Sequence, residues 1–80
     1  MNYVYILFSD KLKKYYVGCT KNVEIRLQKH NESKSGFTST GKPWNLVITF
    51  ECSSRSEALK LESRIKKRGA RRFLDNYFGV

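Results

Sequence analysis

Eighty residues, 40% of them hydrophobic and 14% aromatic, with one proline and five glycines, make one small globular domain that buries roughly 60% of its extended-chain surface; disordered, collagen-like and fibrous classes are excluded. Sixteen Lys and Arg against seven Asp and Glu give a net charge of +9, split +4 over residues 1–40 and +5 over residues 41–80, so no acidic half offsets it. Nucleic acid is therefore the first partner to weigh, an anionic membrane surface the second, and a merely solubilising surface the third.

In chain order, residues 3–8 (YVYILF) are β-branched and aromatic. The run has no cationic leader and stops at Asp10, too short for a signal peptide or a membrane span; the expectation is a cytoplasmic protein, nucleoid-associated if bacterial, with no membrane partner. Residues 15–19 (YYVGC) repeat the strand composition, and the polar stretch 9–14 is a hairpin connection. On a period of two, Tyr3, Tyr5 and Leu7 share one face of the first strand, and Tyr16 and Gly18 one face of the second. Asn22 is a helix cap for a helix to about Asn31, on which Val23, Arg26, Leu27 and His30 fall within one 100° arc.

Residues 32–42 read as a Ser/Gly/Thr/Lys loop, and Pro43-Trp44 leads to a third strand from Leu46 to Glu51 or Cys52. Ser54 with Glu57 three residues on is a capping box for a second helix over residues 55–68, ending near Gly69. Ala58, Leu61 and Ile65 form its apolar stripe, and Glu62 lies inside that arc. A short third helix over residues 70–77 places Phe73, Leu74 and Tyr77 together. The fold class is α+β: one domain over residues 1–80, with a three-stranded antiparallel sheet flanked by helices in the order ββαβαα. Cys19 and Cys52, thirty-three residues apart, have neither zinc-site nor disulfide-framework spacing, which points to reduced, half-buried thiols.

Arg26, His30, Glu62 and the hydroxyls of Tyr5 and Tyr16 all point toward apolar surface, where unpartnered polar groups are costly. Taken singly, an Arg26–Glu62 ion pair and ordinary core tyrosines explain them. Together, a cation, a carboxylate, an imidazole and two phenols supply what phosphodiester hydrolysis requires: phosphate neutralisation, a metal ligand and a proton acceptor.

Tyr3-Val4-Tyr5 followed by Tyr16-Val17-Gly18 resembles the paired signature of the GIY-YIG endonuclease superfamily. Arg26, His30, Pro43-Trp44, Glu62 and Lys66 follow in the family's order, so the resemblance spans residues 3–67 and is nearest to the small stand-alone bacterial members. Tyr3 stands for the first Gly of the signature, and Cys19 stands where some members, such as the nucleotide-excision nuclease subunit, carry lysine.

The resemblance implies hydrolysis of DNA phosphodiesters with one divalent cation, Mg²⁺ or Mn²⁺, held by Glu62, waters and phosphate oxygens, because Mg²⁺ keeps much of its water and borrows substrate phosphates as ligands. Tyr5 is implied as general base or its immediate partner; its phenol, with an ordinary pKa near 10, needs help from the metal, Arg26 and a neutral His30. Arg26 is implied to stabilise charge on the scissile phosphate and Tyr16 to orient it. DNA rather than RNA, and a place in repair or recombination, come from the resemblance alone.

Lys66, Lys67, Arg68, Arg71 and Arg72 form a basic tract that reads either as phosphate contacts or as a solvated face suited to a helix C-terminus. Lys21 and Lys42 are further candidate nucleic-acid contacts. Trp44 reads as core rather than as a base-stacking platform, and Phe73, Tyr77 and Phe78 as core packing rather than a pairing surface. A chain this short has little surface for reading bases, so preference for DNA shape over sequence is expected. The alternatives are a catalytically weak nucleic-acid-binding module, a subunit that needs a protein partner or homodimer for targeting, and an RNA-associated basic protein.

Overall fold

The computed structural model describes residues 1–79, in the order β1 (Asn2–Ser9), β2 (Lys14–Thr20), α1 (Val23–Glu32), α2 (Phe37–Thr40), β3 (Trp44–Cys52), α3 (Arg55–Arg68) and α4 (Ala70–Phe78). The strands form one antiparallel sheet in the order β2-β1-β3. This is the expected α+β arrangement, with one added turn: the loop expected over residues 32–42 holds the four-residue helix α2.

The central strand β1 is buried on both faces, and its period-two alternation sorts two cores. Val4 and Ile6 face Val17, Cys52, Ala58, Ile65 and Leu74, so α3 and α4 cover that side. Tyr5 and Leu7 point the other way, onto Trp44, Tyr16, and Val23 and Leu27 of α1. Antiparallel register places Tyr5 opposite Gly18 and Leu7 opposite Tyr16. On the β3 side the pairing slips by one residue between Ile6 and Leu7, a bulge that leaves Val47 unmatched and partly exposed.

The helix starts follow their caps. Asn22 accepts from the Ile25 amide at 3.1 Å, and Ser54 accepts from the Glu57 amide at 3.1 Å. The second half of the expected capping box is displaced by one residue, since the Glu57 carboxylate accepts from the backbone and hydroxyl of Ser53.

The third strand starts at Trp44, two residues earlier than its composition suggests. Asn31, at the end of α1, explains the difference: its side-chain oxygen accepts from the Trp44 amide at 2.6 Å and its amide nitrogen donates to the Trp44 carbonyl at 3.2 Å. The Trp44 indole nitrogen donates to the Thr38 carbonyl at 2.8 Å, tying α2 to the core. Trp44 is 2% exposed, a core residue as its sequence context suggests. Ser9 is fully buried and satisfied, donating to the Gly41 carbonyl at 2.7 Å and accepting from the Leu12 amide at 3.0 Å. Among the described residues no helix is long and apolar enough to cross a membrane.

Candidate active site

β1 and β2 present Tyr5 and Tyr16 on the α1 side of the sheet, and α1 lays His30 over them. The Tyr5 ring is 1% exposed, and its hydroxyl lies 3.0 Å from Nε2 of His30. The Tyr16 ring stands edge-on to His30, centroids 4.6 Å apart, and stacks loosely with Tyr5 at 6.4 Å. Glycine at position 18 makes this possible. A Cβ built there would sit 2.5 Å from the Tyr5 hydroxyl oxygen and 2.7 Å from the ring carbon bearing it, closer than non-bonded atoms approach; the second Gly of the signature is the space the first strand's tyrosine fills.

The electrostatics of the pair are set by burial and by Arg26. Loss of solvent pushes the Tyr5 phenol up to about 12, Tyr16 adds to the rise, and the Arg26 guanidinium alongside pulls partly back. The expected help toward ionisation is thus present but outweighed by desolvation. The same burial lowers the His30 pKa, and the positive charge of Arg26 lowers it further, so at neutral pH the imidazole is uncharged and one ring nitrogen is an acceptor. With the ring proton on Nδ1, Nε2 accepts from the Tyr5 hydroxyl.

Arg26 lies in the expected arc of α1 but at its rim. Val23 and Leu27 are half-buried, His30 is buried and Arg26 is exposed. Glu62 comes from the other side of the sheet, its side chain 16% exposed and bonded at 2.7 Å to Lys66, one helical turn on. The simple alternative of an Arg26–Glu62 ion pair is therefore replaced by Lys66–Glu62. α1 and α3 lie on opposite faces of the sheet, and both Glu62 and Arg26 act on the Cys19 thiol. Burial, then the neighbouring Glu62 carboxylate, pushes the Cys19 thiol up, while the Arg55 and Arg26 guanidiniums act against the rise. At neutral pH Cys19 is a thiol, neither nucleophile nor thiolate ligand.

Glu62 and Lys66 line an open groove of about 430 Å³ with Leu59, Ser63 and Lys67. Among the described residues, no three His, Cys, Asp or Glu side chains converge as a metal cluster, which leaves Glu62 as the carboxylate facing this groove.

The basic candidates divide. Lys66 and Lys67 border the Glu62 groove, and Arg71 borders a neighbouring one with Lys14 and Tyr15. Arg68 lines a separate groove with Arg64, Phe73, Asn76 and Tyr77. Arg72 is exposed on α4, Lys21 lies beside Tyr3 and Asn22 at the start of α1, and Lys42 donates to the Ser33 carbonyl at 2.8 Å. Phe73 packs against Phe50 with centroids 5.8 Å apart, whereas Tyr77 and Phe78, expected in the core, are 56% and 57% exposed.

From the sequence, Gly18 stands in the signature without a packing role, and Asn31 and Ser9 have none either. A glycine inside a strand pattern was the available signal for the first; for the other two there was none, because their partners lie thirteen and thirty-two residues away.

Comparison with known proteins places these features in a family. Residues 1–75 match the family model described as the GIY-YIG catalytic domain, a nuclease domain. A UPF0213 protein of Syntrophus aciditrophicus is 48% identical over 69 residues, 82% of this chain and 77% of that one, and one of Staphylococcus haemolyticus is 42% identical over 66 residues, 81% and 79% of the two chains. The solution NMR structure of a UPF0213 protein from Bacillus halodurans superposes with a TM-score of 0.58 at 33% identity, covering 96% of this chain and 83% of that one. With its signature tyrosines, helix arginine and histidine, and α3 glutamate in this order and on this sheet, the chain belongs to the GIY-YIG family.

Proposed function

We propose that the protein is a metal-dependent DNA nuclease that hydrolyses phosphodiester bonds at the Tyr5, Tyr16, Arg26, His30 and Glu62 site, selecting DNA structure over sequence, with a role in repair or recombination. The observation that carries this reading is the 3.0 Å contact between the buried Tyr5 hydroxyl and a His30 kept uncharged. A phenol near pKa 12 is not a base by prior ionisation. It is a proton conduit: the attacking water passes a proton to the Tyr5 oxygen as the Tyr5 proton moves to Nε2 of His30. The water oxygen bonds to phosphorus, the bond from phosphorus to the leaving strand's oxygen breaks, and that oxygen takes a proton from solvent. His30 then returns its proton to solvent. Arg26 holds the charge developing on the phosphate oxygens, and Tyr16 orients the phosphate by its hydroxyl.

Glu62 offers a single hard oxygen donor beside an open groove, with a protonated thiol as neighbour. That donor set fits Mg²⁺ or Mn²⁺, which retain water and accept phosphate oxygens, and does not fit zinc, whose sites take three or four protein ligands. When bound, the cation supplies neutralising charge on the scissile phosphate. Lys66 is an exposed partner of Glu62 in a pair of the kind worth about 0.3–0.5 kcal/mol, too weak to bar the carboxylate from a divalent ion.

The test is cleavage of end-labelled single-stranded, duplex, flapped and branched DNAs and matched RNAs, with Mg²⁺ or Mn²⁺, by the wild type beside Glu62→Ala. Metal-dependent cutting of DNA by the wild type alone is expected, strongest on one shape irrespective of sequence. Binding without cutting by either protein would replace the nuclease with a nucleic-acid-binding module.

A further inference from the structure

Three open grooves, the first on α3 and the next two beside β2, are linked into a path by the residues they share. The Glu62 groove shares Lys66 with a groove of about 450 Å³ lined by Lys14, Tyr15, Val17, Gly69, Ala70 and Arg71. That groove shares Tyr15 and Arg71 with a third, of about 630 Å³, which reaches Phe8, Lys13 and Asp75 at the β1–β2 turn. Lys66, Arg71, Lys14 and Lys13, all exposed, line the path, with the acids Glu62 and Asp75 in its first and last grooves. Tyr15 forms part of its floor, half-buried and braced against the Phe8 ring at 4.8 Å.

We propose that this path is a second binding segment, one that seats the DNA strand running away from the scissile phosphate, with Lys66, Arg71, Lys14 and Lys13 on its backbone phosphates and Tyr15 against a sugar or base. The proposal rests on the nuclease reading for the position of the scissile phosphate at Glu62. Shared lining is its main support: Lys66 borders both the groove of the candidate metal carboxylate and the next one, and Tyr15 and Arg71 border both that groove and the third. Backbone cations joined to an aromatic side chain are the combination that holds a strand without reading its sequence.

The experiment measures fluorescence anisotropy of labelled single-stranded oligonucleotides in EDTA, so that binding is read apart from cleavage, for the wild type, the double variant Lys14→Gln/Arg71→Gln, and the charge-matched control Lys29→Gln/Lys34→Gln on α1 and the segment after it. All four positions are exposed, and thermal melts verify folding. The path variant is expected to bind at least tenfold more weakly and to lower the slope of log affinity against log salt by about 1.4, which is two contacts at about 0.7 each, while the control changes less than twofold. Equal losses in the two variants, or unchanged binding by the path variant, would overturn the path even if the wild type cuts DNA normally. Selective loss in the path variant by a protein that never cuts would sustain the path as a strand-binding groove and sink the nuclease reading instead. Absence of wild-type binding would overturn the path.

Discussion

Tyr5 lies directly opposite Gly18 in the β1–β2 ladder, and the phenol occupies the volume that any larger side chain at position 18 would need. Tyr5, so placed, reaches His30 across the face of the sheet. Gly18→Ala is therefore expected to be an active-site lesion in the guise of a strand substitution. The tyrosine must move, at a cost of about 1–3 kcal/mol in stability, and the cleavage rate should fall at least tenfold in protein that denaturation curves show to be folded. Wild-type cleavage by Gly18→Ala would contradict the assigned position of Tyr5.

The uncharged state of His30 has a pH signature. Its pKa is lowered by burial and by Arg26, so the proton-accepting form is lost only as pH falls through a value below the ordinary 6.5. An NMR titration of the imidazole should show a midpoint below 6.5, and the acidic limb of the cleavage rate should follow it. Arg26→Gln removes one of the two lowering causes; its His30 midpoint should move up, carrying the acidic limb to higher pH. A midpoint that stays put in Arg26→Gln would rule out Arg26 as a cause.

Asn31 is expected to matter for stability. Asn31→Ala leaves both backbone groups of the buried Trp44 without their side-chain partner, a cost of about 1–3 kcal/mol. In a domain of this size each kcal/mol lowers Tm by about 4–8 °C. A melting temperature within 2 °C of wild type, on the order of 0.5 kcal/mol or less, would show that water replaces the clamp.

Most of the sheet was legible because alternation along β1 is unambiguous: Val4 and Ile6 against Tyr5 and Leu7 assign two faces, and the caps at Asn22 and Ser54 start α1 and α3. The turn α2 was not. Four residues of Phe, Thr and Ser carry no helical period, and it is fixed from outside by the Trp44 indole on the Thr38 carbonyl. For the site, the helical wheel put Glu62 on the inward arc of α3 but not its neighbour, since angle on one helix says nothing about which face of the sheet the other helix covers. Arg26 stands on α1 and Glu62 on α3, on opposite faces of the sheet, and Glu62 pairs within its own helix. Tyr77 and Phe78 sit at the rim of the core: Tyr77 packs edge-on against Phe50 with centroids 5.2 Å apart yet stays 56% exposed, and Phe78 rests on Tyr77.

If Tyr5 passes the proton of the attacking water to His30, single-turnover cleavage by Tyr5→Phe reports that step. The substitution keeps the ring against Gly18 and removes only the hydroxyl bonded to His30, so DNA affinity in EDTA should stay within twofold of wild type while the rate at saturating protein falls by about 10²–10⁴, the usual contribution of a positioned proton acceptor. A wild-type rate from Tyr5→Phe would contradict the account outright.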